Sequence, residues 1–344
     1  MAQYPNKQII LAARTDGLPL ADHFATRSAV LEGCDSGMVI VRNHYLSVDP
    51  AQKGWMSTAV NYASATVGEP MKSLAVGEIV ESRLEDLRVG EFVTGWFGWQ
   101  DYAHVGLDSI QRKVDPTLAP IRYAVSILGI NGLTAWIVIQ DLLQLQPGQT
   151  CLVSTAAGAV GSLAGQLARQ CGCHVIGLTG SDEKVAICER EFGYHAAINY
   201  KEEGWLQALQ RACPQGVDRY FDMAGGWISD AVVELMNQQG FHAQVGTAAV
   251  SAWDPVPSGP RRERIILVKE LTQQGFVIFN HASRFEEAIR ELVQLLDSEG
   301  LCFREDIRDG LEAGPQALLD LYLSLIHISE PTRLNSTSRM PSSA

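Results

Sequence analysis

Much that would mark a function class is scarce in this sequence. Charged residues make up only 19% of the chain and acidic ones outnumber basic ones 39 to 27, a net charge of −12. That balance repels nucleic-acid phosphates and anionic lipid, so neither is an expected partner. The seven cysteines, at 34, 151, 171, 173, 188, 213 and 302, include no Cys-x-x-Cys pair. Their odd, scattered set argues against a disulfide framework and against a zinc ribbon. No stretch of 18 residues is continuously apolar, and no basic segment followed by an apolar one trails Met1, so neither a membrane span nor a secretory signal is expected. The reading is a soluble, cytoplasmic protein with reduced, mostly buried thiols.

What is present is an ordinary globular composition, 46% hydrophobic with 31 glycines in 344 residues, about twice the ~150 residues typical of one domain. Up to about Ala119 the pattern is short and strand-like, with runs at Met38–Arg42, Ala75–Val80 and Glu91–Gly95 punctuated by Gly, Pro and Asp, which predicts an irregular β lobe. Helical spacing follows over Tyr123–Asp141 and Val160–Gln170, interleaved with the doubly buried runs Thr150–Ser154 and His174–Leu178. Strand, helix, strand in that order implies a parallel sheet. Further strand candidates at Ala196–Tyr200, Arg219–Asp222, Phe241–Val245 and Gly275–Phe279 bring the number to about six, as in a doubly wound nucleotide lobe, with a helix after them over Arg284–Leu296. The division expected is 1–122, 123–296, a return over 297–324, and a tail, 325–344, with no continuing period. That tail resembles translated sequencing-adapter read-through and is expected to lie outside the fold.

Chemistry concentrates after Ser154. Thr155-Ala-Ala-Gly-Ala-Val-Gly-Ser162 is a G-x-G-x-x-G pattern with Ala156 in place of the first glycine. Between a strand and a helix, it offers helix N-terminal amides to a pyrophosphate. An NAD domain places an acidic residue at the end of the next strand, for the ribose 2′-hydroxyl. Here His174–Gly180 ends without one and Ser181-Asp-Glu-Lys184 follows, which favours a 2′-phosphate and hence NADP(H). A solvated Lys184 in a first helical turn is the plainer alternative. The eight histidines are dispersed and Cys34 stands alone in the first lobe, so no zinc-ligand set is expected. Without a Lewis acid, adding hydride to the β-carbon of an enone is the easier chemistry, because the enolate needs only a hydrogen-bond donor and a proton.

Several segments together resemble the zinc-independent medium-chain dehydrogenase/reductases, in the branch of leukotriene B4 12-hydroxydehydrogenase/prostaglandin reductase, plant alkenal reductases and bacterial curcumin-type reductases. They include Arg42-Asn-His-Tyr-Leu-Ser-Val-Asp-Pro50, Val67-Gly-Glu-Pro-Met71, Gly98-Trp-Gln-Asp-Tyr102, Gly132-Leu-Thr-Ala135, Ala156–Ser162, Asn199-Tyr-Lys201 and Phe221-Asp-Met-Ala-Gly-Gly226. The resemblance runs from about Ile9 to Leu323. It implies an α/β fold, a GroES-like β lobe plus a Rossmann lobe, with the active site in the cleft between them. It implies an NADPH-dependent reduction of the C=C bond of α,β-unsaturated ketones or aldehydes, and a homodimer. By the same resemblance Gly158, Ala159, Val160, Gly161 and Ser162 meet the pyrophosphate, Lys184 and Tyr200 bind the 2′-phosphate, and Thr134, Met223, Gly246, Thr247 and Phe279 line the cofactor.

Three departures stand out. Met223 replaces the family's usual Asn, Ser251 replaces a Tyr that faces substrate, and the chain ends without the family's closing Gly-Lys-Asn-Phe-Gly-Lys segment and strand. The remaining candidate donor to the substrate oxygen is Tyr45, with Tyr62 as a weaker substrate-side residue; each is equally readable as a packed lobe tyrosine. Trp96, Phe97 and Trp99 read as hairpin core. A zeta-crystallin-like quinone oxidoreductase and a non-catalytic NADP-binding protein stay open as rivals.

Overall fold

The computed structural model describes residues 2–58, 61–250, 253 and 255–323, and the backbone of 330–333. The chain divides into two compact units, one comprising residues up to Val125 with Glu305–Leu323 and the strand at 330–333, the other Ser126–Arg304.

The first unit is built on β1 (Tyr4–Leu11), β2 (Phe24–Leu31), β3 (Val39–Val48), α1 (Ala51–Met56), β4 (Leu74–Ser82), β5 (Phe92–Trp96), β6 (Tyr102–Val105) and β7 (Ile110–Val114). β1 and β2 form an antiparallel hairpin. β3 is longer than the run predicted at Met38–Arg42. Val39, Ile40, Val41, Leu46 and Val48 are all essentially inaccessible, and the strand carries Tyr45 and Ser47 with it. β3 pairs antiparallel with β4 along one edge and with β6 over Val39–Arg42 on the other. Trp55, Met56, Phe97 and Trp99 fill the core between these strands, and Trp96 packs on its margin.

The second unit runs α2 (Ile130–Ile137), β8 (Thr150–Ser154), α3 (Ala159–Gln170), β9 (His174–Thr179), α4 (Asp182–Arg190), β10 (Ala196–Asn199), α5 (Trp205–Ala212), β11 (Val217–Asp222), α6 (Gly226–Leu235), β12 (Met236–Gln244), α7 (Glu263–Lys269), β13 (Thr272–Gly275) and α8 (Phe285–Asp297). The sheet order is β10-β9-β8-β11-β12-β13, parallel throughout. This is the doubly wound arrangement, with its order reversing beside β8, where ligands bind outside the carboxyl ends of the strands. All five residues of β8 are buried, as a central parallel strand requires.

Three expectations need correction. The sixth strand is Thr272–Gly275, not Gly275–Phe279, whose end lies in a 3₁₀ segment at Ile278–Arg284. An edge strand with all four residues exposed has no need of the apolar residues that drew the expectation to Phe276–Phe279. The helix expected over Tyr123–Asp141 is three pieces, a 3₁₀ turn at Ile121–Val125, α2, and a widened π-type turn at Val138–Leu143 ending at Gln144 with φ of +45°. Apolar spacing near 3.6 persists across all three and conceals the breaks. Finally, after β14 (Arg308–Asp309) and α9 (Gly314–Tyr322), Glu330–Arg333 form β15, within the tail expected to contribute nothing. β15 lies antiparallel along the second half of β3, opposing Glu330 to Val48 and Arg333 to Tyr45. β6 pairs only the first half of β3, which leaves open backbone groups there, and backbone pairing demands no particular side chains.

Candidate functional site

The nucleotide site grows from the turn after β8. Thr155 has φ of +56°, a left-handed conformation costly for a β-branched residue, and it is this residue, not Ala156, that reverses the chain. The amide of Gly158 then donates to Thr155 O at 2.9 Å, and Gly158 becomes the N-cap of α3, its carbonyl accepting from Ser162 N at 2.8 Å. The amides of Ala159, Val160 and Gly161 precede that first intrahelical bond and, as first-turn donors, are available to an anion. Gly161 is required: a methyl group there would lie 2.3 Å from Thr155 O and 2.9 Å from Ala156 Cα. The Ser162 hydroxyl, almost fully buried, donates back to Ala159 O at 3.2 Å. Tyr194, buried, donates to Gly161 O at 2.6 Å and fixes the first turn of α3 from beneath.

At the end of β9, Ser181 caps α4 by accepting from Lys184 N at 3.3 Å. Asp182, whose charge would oppose a phosphate here, accepts from Asn199 Nδ2 at 3.0 Å. The half-buried Lys184 ammonium is held below its ordinary range by burial and by the adjacent charge of Lys201. Two like charges kept side by side favour an anion between them. Tyr200 is half buried, and its hydroxyl sits 2.9 Å from where a methyl group on Gly180 would be. Tyr200 and Lys201 therefore close on Gly180, and Lys184, in the helix turn that follows, feels the charge of Lys201.

Beneath the site lies a polar hub that sequence reasoning missed. Asp222 is fully buried, and its Oδ1 accepts from Ser154 Oγ (3.1 Å), from the Tyr220 hydroxyl and from the amides of Ala224 and Gly225 (2.9 Å each). Its Oδ2 meets Nε2 of His242 at 3.0 Å. Burial alone would push Asp222 upward, but His242, the Gly225 amide and Ser229 hold the carboxyl below the usual carboxylate range. Ser154 Oγ in turn accepts from Met223 N at 2.8 Å, and the Asp222 carbonyl from Val245 N and Gly246 N. The hub thus positions the turn bearing Met223 and the loop bearing Gly246 and Thr247. Thr247 is exposed, with its Cα facing Gly225. Thr134 is buried on α2, and Phe279 sits half buried in the 3₁₀ segment after β13. The signal for the hub was the polar residues that close apolar strands at Ser154 and Asp222, with His242 inside the next strand.

In the first unit Tyr45 is half buried on β3, packed against a small apolar cluster of Val76, Val114, Ala124 and Val125. Tyr62 is largely exposed, its ring edge-on to Trp55 at 6.2 Å. Ser251 lies outside the described residues. A cavity of about 210 Å³ is lined by Ser64, Thr66, Glu69, Lys72, Trp96 and Gln100 among others, with Lys72 Nζ 4.6 Å above the Trp96 ring. Asp49, which the sequence reading gave no role of its own, is buried; among the described residues the Ser47 hydroxyl alone donates to its carboxyl, and burial raises it to about 6.

Residues 7–112 match the family described as the N-terminal domain of oxidoreductase, and 159–295 the family described as zinc-binding dehydrogenase. YfmJ of Bacillus subtilis, named an NADP-dependent oxidoreductase, is 37% identical over 95% of this chain and 98% of its own. The NADP(+)-dependent 2-alkenal reductase of Nicotiana tabacum is 31% identical over 92% and 94%. The chain belongs to the zinc-independent medium-chain dehydrogenase/reductases. The crystal structure of the family member CurA from Vibrio vulnificus in complex with NADPH has a TM-score of 0.89, at 32% identity, covering 96% of this chain and 99% of that one. Among the described residues no three His, Cys, Asp or Glu side chains come together to hold a metal ion. The family's cofactor, NADP(H), fits the residues present: the Gly161 cradle leaves room only for backbone, and the Tyr200 phenol and Lys201 close on Gly180, with Lys184 feeling the Lys201 charge.

Proposed function

We propose that this chain is an NADPH-dependent reductase of the carbon–carbon double bond of α,β-unsaturated aldehydes and ketones. The observation that carries the cofactor choice is the end of β9, where Lys184, Lys201 and Tyr200 take the place of a ribose-binding carboxylate. The substrate class rests on the tobacco 2-alkenal reductase, to which the chain is similar along nearly its whole length.

When bound, NADPH supplies the hydride that reaches the β-carbon. The amides of Ala159, Val160 and Gly161 hold its pyrophosphate, while Lys184 and Tyr200 hold its 2′-phosphate. Thr134, Met223, Gly246, Thr247 and Phe279 line the rest of the cofactor, and Gly158 and Ser162 shape the turn. The negative charge gathered on the substrate oxygen requires a donor. Tyr45 fills that role, its phenolic hydroxyl being a hydrogen-bond donor; Tyr62 stands on the substrate side. All seven cysteines are free thiols, in keeping with the cytoplasm. The exposed edge strand β13, with Leu267 and Val268 exposed on the preceding α7, supports a homodimer joined along that edge.

The test follows NADPH oxidation with a panel of enones, alkenals and a quinone. Enone-dependent turnover that prefers NADPH to NADH is expected and should fall in Tyr45→Phe. Turnover of the quinone alone favours the quinone oxidoreductase reading, and NADPH binding without turnover of any acceptor overturns the enzymatic one.

A further inference from the structure

Trp227 is a large apolar side chain left half exposed, at 50%, although the rest of α6 supplies ordinary core residues in Ile228, Val232 and Val233. It directly follows Gly225 and Gly226, both with positive φ (+65° and +56°), the turn that the Asp222 carboxylate holds by its amides. The indole does not hang loose. The Tyr200 ring meets it nearly perpendicularly at 5.8 Å, and the Trp205 ring does the same at 5.7 Å.

We infer that Trp227 is the platform on which the purine ring of NADP(H) rests. The inference builds on the nucleotide reading above and extends it to a residue that no motif marks. Tyr200 links the two: its hydroxyl lies against Gly180, beside Lys184 and Lys201, and its ring lies against Trp227. In adenosine 2′-phosphate the base is carried on the sugar carbon adjacent to the phosphorylated one, so a phosphate held at Gly180–Lys184 sets the base within reach of the aromatic ring beside it. Every purine presents a π-face to an aromatic side chain, and a ring already pinned from two sides loses little freedom when it stacks. An exposed tryptophan is a poor choice for solvent and a good one for a base. Lys201 gains a role with it, as the second cation at the sugar end of the same subsite.

Calorimetric titration with adenosine 2′,5′-bisphosphate, which lacks the nicotinamide, reads this subsite without catalysis. Trp227→Ala should weaken that ligand by about 10-fold, and Trp227→Phe should restore most of the loss. Turnover of an enone with reduced nicotinamide mononucleotide, which lacks the adenosine half, should be equal in wild type and Trp227→Ala; a shared fall there would mean the substitution damages the lobe and would overturn the assignment. Equal binding of the bisphosphate by wild type and Trp227→Ala also overturns it. Failure of the wild type to bind the bisphosphate removes the NADP(H) reading altogether. Tryptophan-dependent binding in a chain that turns over no enone supports the subsite while removing the reductase reading.

Discussion

Lys184 sits in the first turn of α4, the end of a helix where a positive charge is least welcome, and it faces a second lysine. Residues so placed are explained by an anion that arrives with the ligand. Lys184→Ala should therefore raise the Kd for NADPH about 10- to 100-fold, the equivalent of losing one charged hydrogen bond of ~1.5–3 kcal/mol, while leaving NADH nearly unchanged; fluorescence titration with both nucleotides checks it. Asp49 carries a different signature. Its carboxyl is raised by burial to about 6, so the folded state holds its proton more tightly than the unfolded chain does. The stability it contributes is complete below pH ~4 and is lost as pH rises through about 6, a cost approaching ~3 kcal/mol at neutrality. Asp49→Asn should raise the Tm at pH 8 and leave it unchanged at pH 4, and an unchanged Tm at both would contradict a strained buried carboxylate. The glycines and Lys184 were legible in the sequence because backbone reversal and misplaced charge leave local marks. The contact of Asp222 with His242 was not, since it joins residues on neighbouring parallel strands and no spacing along the chain records it.

Among the elements, α3 matters most, because its first turn is the end proposed to hold the anion and its underside is packed without slack. A methyl group on Gly165 would lie 2.1 Å from the Tyr194 ring, the same side chain whose hydroxyl fixes Gly161 O. Gly165→Ala should thus cost about 1–3 kcal/mol, as overpacked cores do, read by urea unfolding, and weaken NADPH binding as well by tilting the first turn. The helix itself was legible to within one residue, since Val160–Gln170 was expected and Ala159–Gln170 is found. Strand β13 and the π-type turn were not. A solvent-facing edge strand needs no apolar alternation, and a π-type turn keeps apolar residues on the buried side without interrupting their rhythm.

At the scale of the whole molecule the fold class was legible because strand, helix and strand alternate after Thr150 and short β runs precede it. Pairing of β15 with β3 was not, because an edge that offers open backbone groups accepts a segment whose side chains carry no strand signal. The proposed reduction sends hydride to carbon at the β-position and not to the carbonyl. The measurement that reaches it most directly is single-turnover reduction of an enone with NADPH deuterated at the reactive nicotinamide carbon, with the label located in the product by NMR. Deuterium on the β-carbon of a saturated ketone is expected. Deuterium on a carbinol carbon, with the double bond intact, would contradict it.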